Sequence, residues 1–238
     1  MAPIHFELLE AAVQSEGYNV KLLKHCTMKT VETGLKYVNN DACYPSILTT
    51  GQMIEALNSG KYDTNKTAVI MSQTGGGCRA TNYIGFIRKA LKDAGFSHVP
   101  VISFNVAGLE KVPGFKITLP MFNKLLIGVA IGDLIARCNS RNRPYELEKG
   151  RCNKLTQKYI IKGREVTASG NLKEYRKLVK EIIEDYDNVK ISNDRKPRVG
   201  IVGEILFKYH PFGNNHLVDQ LEAEGAEVIS PDLMGFVK

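Results

Sequence analysis

The chain has 238 residues, of which 43% are apolar and 24% are charged, and its formal net charge is +7. This length and composition fit a globular protein of one or two domains and exclude a disordered or fibrous chain. No run of about 18 uncharged apolar residues occurs, and the nearest approach, 119–136, contains Lys124 and Asp133, so no membrane span is expected. With five cysteines and no opening signal segment, the sequence fits a reduced, cytoplasmic protein better than a secreted disulfide scaffold.

Helical and strand patterns alternate over the first part of the chain. The periodicity predicts helices at 5–16, 46–58 and 81–93. Between and after them it predicts strands at 18–23, 67–71 and 99–104. Such alternation is typical of βαβ units, and it predicts an α/β fold with a parallel, doubly wound sheet. Residues 1–117 are therefore interpreted as a first α/β domain.

The segment 118–196 has long helical patterns and no convincing strand, the clearest helix being 170–187. A polar stretch at 191–197 is interpreted as a linker. A strand, a helix and a strand are then predicted at 198–203, 214–223 and 227–230, as the start of a second α/β domain at 197–238. Because one such unit cannot cover both faces of a parallel sheet, we expect a piece of a longer protein or a truncated reading frame, incomplete at both ends.

The positive charge is concentrated in one segment. Residues 137–198 hold 17 Lys/Arg and 9 Asp/Glu, a net charge of +8, so the rest of the chain carries −1. A solvated helical face is the simple interpretation, and a docking surface for an acidic partner or a phosphorylated ligand is the functional one. Nucleic acid fits less well, because no recognition motif and no interleaved aromatic residues occur.

Two cysteines occupy turns that precede predicted helices. Cys43 comes just before the helix at 46–58, and Cys78 follows three glycines between a strand and a helix, namely Gly75, Gly76 and Gly77. Helix amino ends favour a thiolate, and the carboxyl edge of a parallel sheet is the usual ligand side. A structural role, ligation of a metal or cluster, and nucleophilic catalysis all stay open. The Cys-x-x-Cys spacing is absent, and the glycine run is not a phosphate-binding P-loop.

Five sequence blocks occur in one order, at 39–45 (Asn-Asn-Asp-Ala-Cys-Tyr-Pro), 51–57, 73–83 (Gln-Thr-Gly-Gly-Gly-Cys-Arg-Ala-Thr-Asn-Tyr), 143–146 (Arg-Pro-Tyr-Glu) and 200–205. Together they resemble the 2-hydroxyacyl-CoA dehydratase family. More narrowly, they resemble the dehydratase-like region of the fused acyl-CoA dehydratase activase-related proteins of the double-cubane cluster type. The resemblance covers essentially the whole chain, and Cys-Tyr-Pro and Gly-Gly-Gly-Cys-Arg are its specific part.

The resemblance implies an oxygen-sensitive iron–sulfur protein. In the family, three cysteines per subunit hold a cluster, an ATP-dependent activase supplies low-potential electrons, and the dehydratases remove water from a 2-hydroxyacyl-CoA. Carried over, it implies a [4Fe-4S] or double-cubane cluster, with Cys43 and Cys78 as metal ligands and Gly75, Gly76, Gly77 and Arg79 as cofactor-binding residues. The partners implied are an activase module, in the same longer chain or separate, and an acyl-CoA or other small molecule. A homodimer is a further option, and neither nucleic acid nor a membrane is expected.

The family's third ligand falls in the second α/β domain, which is mostly missing here. Cys26 is the substitute considered, although no clear helix start follows it. Cys138 is interpreted as core and Cys152 as incidental. We therefore expect an incomplete cluster site and no dehydratase activity from this chain alone. A cluster-free scaffold or interaction fragment and a cysteine-nucleophile enzyme are the alternatives, and no acid or base is assigned among the side chains considered, Arg79, Asn82, Tyr83, Glu146 and Glu204.

Overall fold

The computed structural model describes residues 2–39, 41–73, 82–105 and 114–237. By contacts the chain divides into two compact units, Leu23–Lys116 and a second one that joins Met1–Leu22 to Ile117–Lys238. The break after Lys116 lies next to the boundary predicted at 117. The division into three domains stays a prediction.

Helices predominate over strands in the described residues. In chain order the helices are α1 (Pro3–Gln14), α2 (Met28–Tyr37), α3 (Tyr44–Asn58), α4 (Tyr83–Asp93), α5 (Leu119–Asn142), α6 (Arg151–Ser169), α7 (Leu172–Asp187), α8 (Ile205–Tyr209), α9 (Leu217–Ala223) and α10 (Leu233–Val237). The strands are β1 (Val69–Gln73), β2 (Val101–Asn105), β3 (Arg198–Gly200) and β4 (Glu227–Ile229). They form two separate sheets of two parallel strands each, so the fold is mixed α/β.

The sheet of the unit Leu23–Lys116 is a parallel pair joined through α4. Val69 of β1 lies opposite Val101 of β2, and the pairing continues to Gln73 and Asn105. The strands predicted at 67–71 and 99–104 are confirmed, each shifted by one or two residues. The described residues contain two strands here, so the doubly wound sheet that the alternation predicted is not seen.

The strand predicted at 18–23 is wrong, and the structure has an irregular segment there. Its backbone groups are satisfied by side chains of α1 instead of by a neighbouring strand. The Gln14 amide donates to the Val20 carbonyl oxygen at 2.9 Å, and the Glu10 carboxylate accepts from the Leu22 N–H at 2.9 Å. A backbone group that is hydrogen-bonded to a side chain does not require a partner strand. The apolar residues of 18–23 were therefore not sufficient to make this segment a strand.

Two glycines let α2 and α3 approach each other closely, and α2 was not predicted. A Cβ at Gly34 would overlap the carbonyl oxygen of Ile47, and one at Gly51 would overlap the carbonyl oxygen of Thr30. Any larger residue at these positions would push the helices apart, since the atoms it meets are backbone. The close pairing of α2 and α3 therefore depends on both glycines.

The helical segment predicted at 118–196 is confirmed, and it forms a four-helix bundle with α1. α1, α5, α6 and α7 surround one apolar core whose fully buried members are Leu8, Ile131, Ile135, Cys152, Tyr159 and Ile182. The bundle seam is also polar: the Arg164 guanidinium of α6 bonds the Glu10 carboxylate of α1 at 2.7 Å and the Glu7 carbonyl oxygen at 2.6 Å. The first helix of the sequence and the later helical segment are thus one structural body.

Among the described residues, one stretch, Leu119–Tyr145, is long and apolar enough to cross a membrane by length and composition alone. In the bundle its residues Met121, Ile131 and Ile135 are fully buried. Asp133 in the same helix accepts a hydrogen bond from the buried His5 at 2.9 Å. A core helix of a water-soluble bundle has these features, so the structure is compatible with a soluble protein. The cytoplasmic location stays a prediction.

The segment after the bundle packs on α5. The strands predicted at 198–203 and 227–230 are present as the shorter β3 and β4, and the helix predicted at 214–223 as α9. The Arg143 guanidinium lies 2.7 Å from the Glu222 carboxylate and 3.1 Å from that of Asp219, both on α9. At the start of α10, the Asp133 carboxylate accepts the Leu233 N–H at 2.6 Å. α8 and α10 were not predicted, because elements of five residues are too short to show a period.

Candidate functional site

Cys43 lies at the amino end of α3. Its carbonyl oxygen accepts hydrogen bonds from the N–H and from the hydroxyl of Ser46, both at 2.8 Å. Pro45 occupies the first turn, where its missing N–H is not needed. The residue is half-buried. The predicted position of Cys43 at a helix start is confirmed, and its role as a metal ligand stays a prediction.

A buried tyrosine contacts the Cys43 sulfur. Tyr83 is the first residue of α4, is 2% exposed, and donates its hydroxyl hydrogen to Cys43 Sγ at 2.9 Å. This contact brings the first turns of α3 and α4 together. A hydroxyl donor favours negative charge on the atom that accepts its hydrogen bond, so the arrangement suits an electron-rich sulfur. Tyr83 is a core residue whose polar end reaches the thiol.

Cys78 lies outside the described residues, together with Gly75, Gly76, Gly77 and Arg79. The segment that carries them joins the end of β1 at Gln73 to the start of α4 at Tyr83. The predicted proximity of the Cys43 and Cys78 sulfurs therefore stays a prediction. In sequence, Cys78 precedes the tyrosine that contacts Cys43 by five residues.

Cys26 lies in surroundings that oppose a thiolate. Burial, followed by the nearby Glu55 carboxylate, raises the pKa of the Cys26 thiol to about 11. That carboxylate is fixed by Thr30, whose hydroxyl donates to Glu55 Oε2 at 2.7 Å and also accepts the Thr27 N–H at 3.1 Å. A neutral thiol beside a carboxylate is a poor metal ligand. Contrary to expectation, a helix does start directly after Cys26, since α2 begins at Met28.

The other two described cysteines belong to the bundle. Cys138 of α5 is partly buried and packs against the apolar core, as predicted. Cys152 of α6 is fully buried in that core, so it is a packing residue and not an incidental one. Burial, followed by the Glu146 carboxylate beside it, raises the pKa of the Cys152 thiol to about 12. Neither thiol is suited to metal binding.

The two glutamates considered as site residues are helix caps. Glu146 is 5% exposed, and its carboxylate accepts the N–H groups of Gly150 at 2.6 Å and Cys152 at 2.7 Å, at the start of α6. Burial alone would raise the pKa of Glu146, but the N–H donors of Cys152 and Gly150 hold it below its usual range. Glu204 accepts the Leu206 N–H at 3.0 Å at the start of α8.

Asn82 precedes α4, is exposed, and makes no side-chain capping bond. Within the ranges that the structure describes, no group of three or more His, Cys, Asp or Glu side chains could hold a metal ion. A Cys43 site would therefore need ligands beyond the described ones, and Cys78 is the predicted one. The Tyr83 contact was not predicted, although its place in the Gly-Gly-Gly-Cys-Arg block was a usable signal.

No family model, no curated protein and no solved structure matches this chain. The resemblance to the 2-hydroxyacyl-CoA dehydratases stays a prediction that depends on the sequence blocks alone.

Proposed function

We propose that this chain is an iron–sulfur component related to the 2-hydroxyacyl-CoA dehydratases and their activases, with Cys43 and Cys78 as thiolate ligands of a [4Fe-4S] or double-cubane cluster. The observation that carries the proposal is the hydrogen bond from the buried Tyr83 hydroxyl to Cys43 Sγ at 2.9 Å. The proposal includes an incomplete site: two thiolates leave part of a four-iron cluster without protein ligands.

Among the described cysteines, Cys43 has surroundings that suit a cluster ligand and Cys26 does not. Cys43 is half-buried at a helix start and its sulfur has a hydroxyl donor, which suits a metal-bound thiolate. Cys26 does not fit, because burial and the Glu55 carboxylate favour its neutral thiol. We therefore do not assign Cys26 as the third ligand that the resemblance implies.

The fold proposed for the site is a doubly wound parallel sheet, of which β1, α4 and β2 are one unit. Their parallel pairing in adjacent positions supports it. In such sheets, ligands bind at the carboxyl ends of the strands. β1 reaches that end at Gln73, directly before the segment that carries Cys78.

When bound, the cluster would supply one-electron transfer at low potential. The work of this chain's residues is to hold the sulfur and to surround it. Tyr83 orients the Cys43 side chain by donating the hydrogen of its hydroxyl to the sulfur. The first turn of α3 fixes the Cys43 backbone through Ser46. An activase module and an acyl-CoA or other small molecule are the proposed partners.

The test is anaerobic reconstitution of the full 238-residue chain with iron and sulfide, followed by analysis of bound iron and acid-labile sulfide. We expect labile iron at fewer than about four atoms per chain, lost in Cys43→Ser and in Cys78→Ser. Cys26→Ser and Cys138→Ser are the matched controls and should keep the iron of the parent chain.

Equal iron in all five proteins, or none in any, would favour the cluster-free scaffold. A stable low-potential signal with about four irons per chain would contradict the incomplete site only. In that case, loss of the signal in Cys26→Ser would identify the additional ligand.

Tyr83→Phe refines the proposal without removing a ligand. A hydrogen bond to a ligand sulfur stabilises the reduced cluster, so its loss should make the reduction potential more negative while the iron content is unchanged. Spectroscopic redox titration of the reconstituted chain measures this shift. An unchanged potential would show that the hydroxyl does not act on the cluster.

A further inference from the structure

The outward side of α7 carries a compact row of cations. We call it the α7 basic face, and it consists of Leu172, Lys173, Arg176, Lys177, Lys180 and Ile183, all exposed. The four cations follow the spacing i, i+3, i+4 and i+7, which places them on one side of a helix over about 10 Å. The opposite side of α7 is buried in the bundle through Leu178, Ile182 and Tyr186.

Three of these four cations form no ion pair within the described part of the chain, and the fourth, Lys177, shares its partner. Lys177 Nζ lies 4.0 Å from the Glu181 carboxylate, but that carboxylate is already bonded at 2.7 Å by Lys162 of α6. Asp185 is likewise bonded by Lys158 of α6. Glu181 and Asp185 thus bond cations of α6. Among the described carboxylates none forms an ion pair with Lys173, Arg176 or Lys180.

The arrangement is unfavourable for the chain by itself. Lys173 with Lys177, and Arg176 with Lys180, are like-charge pairs at i, i+4, which weaken a helix. Lys173 also lies in the first turn of α7, where the helix dipole disfavours a cation. A negatively charged partner placed on this face would relieve both effects.

We propose that the α7 basic face docks an acidic protein surface. Charge complementarity supports such a partner, because the chain has a net charge of +7 and the excess lies in 137–198. A second copy of the chain would be repelled by the same charge. A membrane fits poorly, since the apolar side of α7 is buried in the bundle and is not available for insertion. The exposed Leu172 and Ile183 supply apolar contacts at the two ends of the row.

The experiment compares two variants of equal charge by titration with a fluorescent glutamate-rich peptide at low salt. The first carries Lys173→Gln, Arg176→Gln, Lys177→Gln and Lys180→Gln. The control carries Lys149→Gln, Arg151→Gln, Lys154→Gln and Lys190→Gln, which are exposed cations away from this face. Each set removes four positive charges, so both proteins go from +7 to +3.

We expect the first variant to bind the peptide at least about tenfold more weakly than the parent chain, and the control less than about threefold more weakly. Thermal unfolding should show the first variant folded, with a midpoint no lower than that of the parent, since like-charge repulsion is removed. Equal weakening in both variants would overturn the proposal, because net charge and not the face would then govern binding. Binding to phosphatidylserine vesicles in place of the peptide would also overturn it, in favour of a lipid surface.

Discussion

The helix bundle and the region around β1 and β2 use their buried polar side chains differently. In the bundle and the segment packed on it, the Glu146 and Asp133 carboxylates accept backbone N–H groups and thereby fix the starts of α6 and α10. In the smaller unit, Glu55 is held by threonine hydroxyls, and the Tyr83 phenol reaches a half-buried thiol. The polar groups of the first region thus hold backbone, whereas those of the smaller unit join side chains of different helices.

The cysteines show the same contrast. Cys152 is fully buried beside a carboxylate, which favours its neutral thiol. Cys43 lies at a helix start and accepts a hydrogen bond from a buried hydroxyl. Cys152 also lies in the first turn of a helix, so a helix start does not distinguish the two thiols. The hydroxyl donor directed at the sulfur distinguishes Cys43.

The largest expected effect lies in the smaller unit, at the contact of α2 with α3. Gly51→Ala should destabilise that unit by about 3 kcal/mol or more, since its methyl group would overlap the Thr30 backbone carbonyl, which cannot move alone. Gly85→Ala in α4 is the matched control: nothing lies within 4 Å of its Cβ position. We expect that control to be neutral or stabilising by up to about 1 kcal/mol. Urea denaturation monitored by circular dichroism measures both, and a neutral Gly51→Ala would contradict the close helix contact.

The second-largest loss of stability is expected in the core of the bundle. Ile182→Ala should lower the free energy of unfolding by about 3 kcal/mol, because Ile182 is fully buried and the cavity would be lined by packed helices. Ile161→Ala on α6 removes the same groups from a side chain that is 61% exposed and should change stability by less than about 0.5 kcal/mol. Guanidinium denaturation curves distinguish the two, and equal losses would show that α7 is not a core helix.

The Glu146 cap should contribute less to the free energy of unfolding, and its contribution should depend on pH. Glu146→Gln should cost about 1–3 kcal/mol at pH 7, because the anionic acceptor of two backbone N–H groups is lost. The folded pKa of Glu146 lies below the roughly 4.3 of an ordinary glutamate. Its contribution is therefore present above about pH 4.3 and lost as the pH falls through the folded pKa.

Unfolding free energies of the parent chain and of Glu146→Gln, measured from pH 7 to pH 3, should therefore converge at low pH. The exposed Glu148→Gln is the control and should follow the parent at every pH. If the difference in unfolding free energy between the parent and Glu146→Gln stayed constant down to pH 3, the negative charge of Glu146 would not be what stabilises the start of α6.

The smallest effect concerns the contact that distinguishes Cys43. Tyr83→Phe should cost about 1 kcal/mol, the usual net value of one intramolecular hydrogen bond. A double-mutant cycle with Cys43→Ala should return most of that value as coupling energy. Tyr62→Phe, at a half-buried tyrosine of the same unit, serves as the control. Zero coupling would mean that the hydroxyl and the sulfur do not interact in solution.

Much of the local structure follows from sequence periodicity. α1, α3, α4 and α7 begin and end within two residues of their predicted bounds, because long amphipathic or apolar patterns ended by glycine or a polar cap leave few alternatives. The position of Cys43 at a helix start followed in the same way from Pro45 and the apolar run behind it. The helical character of 118–196 also needed no knowledge of tertiary contacts.

Other features were decided by contacts between distant residues. The 18–23 segment has a strand-like composition, yet side chains of α1 take its backbone groups. α1 was assigned with the α/β domain, but its buried face packs on α5 and α6, which begin only at Leu119 and Arg151. Periodicity reports which side of a helix is apolar and not which helices cover it, so the bundle could not be derived from it.

The same limit applies to the candidate site. The sequence by itself predicted that Cys43 precedes a helix, because that depends on neighbouring residues, but it missed the helix start after Cys26. Only the tertiary structure decided that a tyrosine 40 positions from Cys43 donates to its sulfur, and that Glu55 lies beside Cys26. Hydrogen bonding and burial between distant segments set the charge that a sulfur can carry, and these depend on distances that no local pattern encodes.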